Sequence, residues 1–289
     1  MFIDIHTHAR IGKVPLWNDE YFLSGEELLQ KCDKFDIDKA VLLPMVSPDF
    51  YLPQSVDEIL MICGTHPDRF IPFCNIDPRS NGNRFDAPMG DLLKYYKDKG
   101  CRGIGEVTAN MSFLDPLMQN LFKGAEETRM PLLFHIAPEL TGNYGIYDLP
   151  GLPQLEISLQ RFPNLIFLGH SQAFWAEMTP LVNIDSRYGY PTGEIKEEGR
   201  VPQLMRKYGN LYCDLSAGSG YSAMNRDRSY AAKFMTEFQD RILFGTDICH
   251  INGDAPLAGL LKEMLEKGEI SQTVFQKIAR ENAQKLCNI

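Results

Sequence analysis

Short hydrophobic runs alternate with longer amphipathic stretches along the whole chain. Phe2–Ile5, Ala40–Leu43, Phe70–Ile76, Gly103–Val107, Leu132–Ile136, Leu165–Leu168, Leu211–Leu215 and Ile242–Phe244 are the apolar runs. Most are near-continuous rather than alternating, the pattern of parallel strands covered on both faces. Between them the spacing turns helical: Leu114, Leu117, Met118, Leu121, Phe122 and Ala125 form one stripe that faces a core. The same criterion predicts helices over Gly25–Phe35, Ser55–Thr65, Asp91–Lys99, Leu152–Phe162, Val201–Tyr208, Ala223–Phe238, Leu257–Lys267 and Gln272–Leu286.

Measured at the predicted strand ends (His8, Pro44, Ile76, Glu106, Ile136, His170, Leu215, Asp247), the intervals run from 30 to 45 residues. Each suits one βα unit. Eight successive units without a linker or a composition break predict an α/β protein, a (β/α)₈ TIM barrel, in preference to a doubly wound open sheet. The length of 289 residues would then be one barrel domain spanning 1–289, with the excess over roughly 250 residues lying in the terminal helix and two long loops. Those loops, Ala137–Pro150 after the fifth strand and Ser171–Gly199 after the sixth, distort the barrel and carry Gly, Pro and aromatic residues. They fall at the C-terminal face, where barrel active sites form.

Composition narrows the function classes. Hydrophobic residues make up 44% and charged residues 23% of the chain, which excludes disorder and fibrous repeats. With 29 basic against 38 acidic residues and no basic block, the net charge of −9 argues against nucleic acid and anionic membranes as partners. Seven scattered cysteines without a C-x-x-C pair point to free thiols in a reducing compartment. No apolar run approaches a membrane span, and Met1–Ile5 reads as a strand rather than a leader. A cytoplasmic protein is expected.

Chemistry concentrates at the strand ends. His6-Thr7-His8 closes the first strand, and residues i and i+2 of a strand point to the same side. His135 closes the fifth strand, His170 the sixth, Glu106 the fourth and Asp247 the eighth. Any one of these can be a hydrogen-bonded core group. Six on one rim point to a divalent metal, since imidazoles and carboxylates bind Zn²⁺, and also Mn²⁺, Fe²⁺ or Co²⁺.

The set His6-x-His8, Glu106, His135, His170 and Asp247 resembles the metal site of the amidohydrolase superfamily. The chain is most similar to the amidohydrolase-2 branch, which includes aminocarboxymuconate-semialdehyde decarboxylase and related lactonases and hydratases. The resemblance runs from His6 to the terminal helix with Glu281-Asn282-Ala283. It implies one divalent metal, most readily Zn²⁺, held by His6, His8, His135 and Asp247, with His170 beside it as an acid/base or electrostatic group. Glu106 departs from the mononuclear pattern. It either bridges a second ion, with His170 then a ligand of that ion, or orients a histidine from behind, so one or two ions remain open.

A metal with an open position acidifies water and polarises a carbonyl. Asp247 is then the expected general base and His170 the group that stabilises charge or donates a proton. The leading expectation is a hydrolase acting on a C–N or C–O bond of a small carbonyl or carboxylate compound. A decarboxylase or hydratase acting on an unsaturated acid is the alternative, and a non-catalytic metal-binding barrel is a third. Arg10 can clamp a substrate carboxylate, and Asn110, Tyr144 and Trp175 can line the pocket. Ser216-Ala217-Gly218-Ser219-Gly220 offers a weaker phosphate-loop candidate, and Asp214 before it a structural role or one behind the ligands. His66, His250 and Cys249 are left outside the ligand set. The substrate is expected to be a small molecule, and a homodimer is a family-level expectation.

Overall fold

Near-continuous apolar runs become parallel strands because both of their faces are covered. The computed structural model describes residues 1–16, 19–50 and 52–289. Among them the strands are β1 (Phe2–Thr7), β2 (Ile37–Leu42), β3 (Phe70–Pro72), β4 (Ile104–Val107), β5 (Leu132–Ala137), β6 (Ile146–Tyr147), β7 (Phe167–His170), β8 (Leu211–Asp214) and β9 (Ile242–Leu243). All pair in parallel, in the orders β1-β2-β3 and β4-β5-β7-β8-β9.

Two seams join these sheets into a ring. Cys74 bridges Ile104 between β3 and β4. On the other side Thr7 bridges Ile248, and the Ile5 and His8 amides donate to Phe244 and Ile248 at 3.0 Å. The result is a (β/α)₈ barrel, with β6 as an addition in the loop after β5, paired to β5 alone.

The barrel interior is filled by Ile3, Ile5, Val41, Leu43, Ile71, Phe73, Leu133, Leu168 and Leu243, packed against Ala283 and Cys287 of the terminal helix. That helix therefore plugs one end of the barrel. A larger core lies between strands and outer helices. The predicted stripe is seated there: Met118, Leu121, Phe122 and Ala125 of the helix Pro116–Thr128 are fully buried. Local signals set the helix starts. Ser24 and Glu27 form a reciprocal capping box ahead of Gly25–Lys34, and Ser55, Asp115 and Ser271 cap three others.

The structure corrects three elements. The stretch expected as one helix over Ala223–Phe238 is two, Ala217–Asn225 and Arg228–Glu237, because Asp227 accepts the Tyr230 amide and starts a new helix. Gln272–Leu286 is interrupted by a π segment over Lys277–Glu281. The third strand stops at Pro72 rather than Ile76. No helix among the described residues is long and apolar enough to cross a membrane.

Candidate metal centre

Backbone placement comes first. The buried Asp4 carboxylate accepts the amides of His6 and Thr246, each at 3.0 Å, and the Thr246 hydroxyl at 2.6 Å. It thus ties the end of β1 to the segment after β9. Asp247 has a left-handed backbone (φ +59) and donates its amide to the His6 carbonyl at 2.8 Å. Glu106 follows Gly105, whose φ is +143 and whose missing Cβ would fall 2.8 Å from the Leu133 carbonyl oxygen. Only glycine lets β4 approach β5 so closely here.

These elements bring four donor atoms together. His6 Nε2 and His8 Nε2 lie 3.1 Å apart. Both are 3.7 Å from Glu106 Oε2 and 3.4 Å from Asp247 Oδ1. Atoms bound to one Zn²⁺ at about 2.0–2.1 Å in a tetrahedron stand roughly 3.3 Å from one another. The protonation pattern fits the same ion. His8 Nδ1 is 2.9 Å from the Leu43 carbonyl, which only accepts, and His6 Nδ1 is 2.7 Å from the Asp214 carboxylate. Each Nδ1 therefore carries a hydrogen, so the two Nε2 atoms that face each other are the ones that can ligate an ion. A cation between them satisfies both.

A second group adjoins the first. Glu106 turns its other oxygen, Oε1, to His135 Nδ1 at 2.8 Å and His170 Nε2 at 3.8 Å. His170 Nε2 is also 3.9 Å from Asp247 Oδ2. Behind the rings, Asp214 Oδ2 meets His6 Nδ1 at 2.7 Å, His170 Nδ1 at 3.1 Å and Ser216 Oγ at 2.7 Å.

Charges in this site hold one another in place. Burial alone would raise the Asp214 carboxyl, but His6 and His170 hold it well below the usual carboxylate range. Burial is likewise outweighed at Glu106 by the hydrogen bond to His135 and the nearby His6 ring, and at Asp247 by the His6 and His8 rings; both carboxyls are held below their usual range. Burial pulls the His6 imidazole down, yet the Asp247 and Asp214 carboxylates raise it well above its ordinary value.

A cavity of about 200 Å³ opens over the donors. Its floor is His8, Glu106, His135, His170 and Asp247, and its wall includes Leu16, Phe22, Met45, Phe50, Tyr144 and Tyr190. Leu16, Phe22, Met45 and Phe50 form an apolar cluster of their own, separate from the barrel core. The Tyr144 ring stands 4.7 Å from the His135 ring, and Gly145 beside it has no room for a Cβ, which would fall 2.7 Å from His135 Cδ2.

Three residues expected at the pocket are held elsewhere. Arg10 is buried, its Nε 3.2 Å from Glu58 and its Nη1 2.8 Å from the Leu52 carbonyl. Asn110 ties the Glu139 and Gly145 carbonyls together. Trp175 packs among Phe174 and Phe234 and donates its indole N–H to the Asp214 carbonyl at 3.2 Å. None of the three lines the cavity. The Ser216–Gly220 stretch is the cap and first turn of the helix Ala217–Asn225, with Ser216 Oγ committed to His6, His170 and Asp214.

His66 pairs with Glu26 at 2.8 Å and His250 Nδ1 lies 3.1 Å from Glu20, both away from the donors, while Cys249 lines the wall. Sequence reasoning missed Asp4 and the cluster Leu16, Phe22, Met45 and Phe50. Asp4 had a signal, two positions before His6 on the same face of the strand; the apolar cluster lies in loops whose course no periodicity encodes.

Comparison with known proteins places these features in a family. A family model described as Amidohydrolase (Amidohydro_2) matches residues 3–289. No match was found among curated proteins. Among solved structures, an uncharacterized TIM-barrel protein from Bordetella bronchiseptica aligns with a TM-score of 0.68 at 15% identity, over 99% of this chain and 98% of that one. A probable 2-pyrone-4,6-dicarboxylic acid hydrolase from Acinetobacter baumannii, with citric acid bound, gives 0.62 at 16% identity over 100% and 99%. A 5-carboxyvanillate decarboxylase from Sphingomonas paucimobilis gives 0.62 at 15% identity over 100% and 99%. At these identities the likeness is one of fold.

Proposed function

The chain belongs to the Amidohydro_2 family of amidohydrolases, and from that premise we propose that this metal-dependent enzyme hydrolyses a C–N or C–O bond of a small carbonyl or carboxylate compound. His6, His8 and Asp247 would hold a divalent ion, Zn²⁺ or Mn²⁺ by donor type, with Glu106 as a fourth donor. Because the two oxygens of Glu106 face two separate groups, His135 and His170 offer room for a second ion. Such an ion supplies Lewis-acid polarisation of a substrate oxygen and acidifies a neighbouring water.

The observation that carries the reading is the position of Asp247. Its side chain is 30% exposed while His6, His8, Glu106 and His170 show 4% or less. Asp247 is therefore the donor with an oxygen free to meet water in the cavity, as a general base must. His170, its Nδ1 fixed by Asp214 and Ser216, presents Nε2 to the same space and is suited to stabilise the developing charge.

A second reading has its own support. One part of the cavity wall, Leu16, Phe22, Met45 and Phe50, is apolar, and a carboxylate held there without water lies closer in energy to its decarboxylated product. The 5-carboxyvanillate decarboxylase relative shares this fold. Decarboxylation is thus the competing reaction, and carbon dioxide release against acid release separates the two. Asp247→Asn is expected to keep the fold and lower turnover by at least about a hundredfold. Full turnover in that variant would remove Asp247 from the role.

A further inference from the structure

Residues 138–145, in the loop after β5, have no regular structure, and Thr141 there holds a left-handed backbone with φ +66. That conformation is costly for a β-branched residue and persists only where its surroundings enforce it. Asn110, in the segment after β4, enforces it. Its Oδ1 accepts the Thr141 amide at 2.7 Å, while its Nδ2 donates to the Glu139 carbonyl at 3.1 Å and the Gly145 carbonyl at 3.2 Å. The carbonyl and both hydrogens of this side-chain amide are thereby committed to one loop.

Asn110 is itself anchored. Its backbone amide donates to Asp49 Oδ2 at 2.8 Å. The same oxygen accepts Arg79 Nη2 at 2.7 Å, and that nitrogen also reaches Asp77 Oδ2 at 2.7 Å. Burial would raise the Asp49 carboxyl, but Arg79, the Asn110 amide and Ser47 hold it below its ordinary value. Asp49 follows β2, Arg79 follows β3, Asn110 follows β4 and Thr141 follows β5. The hydrogen bonds therefore form a strap across four neighbouring rim loops. The cavity wall is made by residues next to the strap: Phe50 follows Asp49, and Tyr144 precedes Gly145. Their rings meet edge to face at 6.0 Å, and the Tyr144 ring lies 4.7 Å from that of His135.

We propose that Asn110 is a positioning residue for the substrate wall: it fixes the loop that carries Tyr144, and so holds the Tyr144 ring against His135 and Phe50. With that ring in place the cavity of about 200 Å³ accepts one ring-sized group, since roughly 150 Å³ already admits benzene. The proposal rests on the reading that this cavity receives the substrate, whichever bond is cleaved.

Binding of two carboxylate probes to the Co²⁺-loaded protein, followed by the visible absorption of the ion, tests it. Acetate meets the ion alone, whereas benzoate also packs its ring against Tyr144 and Phe50. In the native protein benzoate is expected to bind at least about tenfold more tightly than acetate. Asn110→Ala is expected to weaken benzoate about fivefold or more and acetate less than about twofold. Tyr144→Ala should reproduce that pattern. Adding Asn110→Ala to it should change benzoate less than about twofold, because the first residue acts through the second. A second readout needs no metal. In protein carrying 3-fluorotyrosine, the fluorine resonance that Tyr144→Phe removes should be sharp in the native protein and displaced or broadened in Asn110→Ala.

Equal losses of acetate and benzoate in Asn110→Ala would overturn the proposal, because Asn110 would then act on the metal donors rather than on the wall. So would benzoate binding no tighter than acetate in the native protein, independent losses in the double variant, or an unmoved Tyr144 resonance. A lower melting temperature with the preference for benzoate unchanged would give Asn110 a structural role and remove this one. Turnover and metal content are read separately. Failure to bind metal removes the hydrolytic reading, and the fluorine resonance then decides the coupling of Asn110 to Tyr144 by itself.

Discussion

Asp214 touches two of the candidate ligands from behind, and its chemistry can be taken apart by one atom. Its Oδ2 receives His6 Nδ1 at 2.7 Å and His170 Nδ1 at 3.1 Å, which keeps both rings in the tautomer whose Nε2 lone pair faces the cavity. An asparagine nitrogen at that place donates rather than accepts, so each ring would carry its hydrogen on Nε2 instead. Asp214→Asn is therefore expected to lower affinity for Zn²⁺ about 10–100-fold while the barrel still folds. Competition with a chromophoric chelator measures the change, and an unaltered affinity would show that the tautomers are set elsewhere. The six candidate donors were legible in the sequence because each falls at or just beyond a predicted strand end, on one rim of the barrel. Arg10 was not, since its partners Glu58 and Leu52 come from a distant loop and helix.

Elements were legible where propensity and burial agree. The stripe from Leu114 to Ala125 became a helix with Pro116 at its start and Asp115 as its cap. What the sequence did not reveal is how one of the expected helices is started. The helix Pro153–Arg161 has no capping side chain at Leu152; instead Asp148 reaches its first turn, accepting the Gln154 amide at 3.1 Å and the Leu155 amide at 2.8 Å. Burial pushes this carboxyl up to about 6 from 3.8, although three backbone amides and Arg187 pull the other way. A carboxyl whose folded pKa is raised binds more protons folded than unfolded between those values. Its contribution is complete below about pH 4 and is lost as pH rises through about 6, some 3 kcal/mol at most. In Asp148→Asn that segment of the stability curve should flatten between pH 4 and 6, whatever the absolute loss from a poorer cap. Urea unfolding at several pH values reads the difference, and parallel curves for the two proteins would place the Asp148 pKa near its unfolded value.

For the whole molecule, the two seams matter most, because a barrel has no edge only if its first and last strands stay joined. β1 and β9 share few backbone bonds, and the Asp4 carboxylate and the donors of the metal centre reinforce that junction: His6 and His8 come from β1, Asp247 from the segment after β9, Glu106 and His170 from across the ring. An ion bound by these residues crosslinks chain segments more than 200 positions apart in sequence, and it binds the folded chain only. Folded stability then rises by about 2.7 kcal/mol at a free ion concentration one hundred times Kd. For a chain of this size that corresponds to an increase of roughly 4–5 °C in melting temperature. Calorimetry of the reconstituted protein before and after chelation is expected to show that decrease on metal removal, and re-addition of Zn²⁺ should reverse it. In His6→Ala, which lacks a donor at the seam, chelator should shift the transition far less. A melting temperature indifferent to chelator in the native protein, despite bound metal by elemental analysis, would mean that the barrel closes on backbone and Asp4 contacts alone and that the ion serves chemistry without holding the ring.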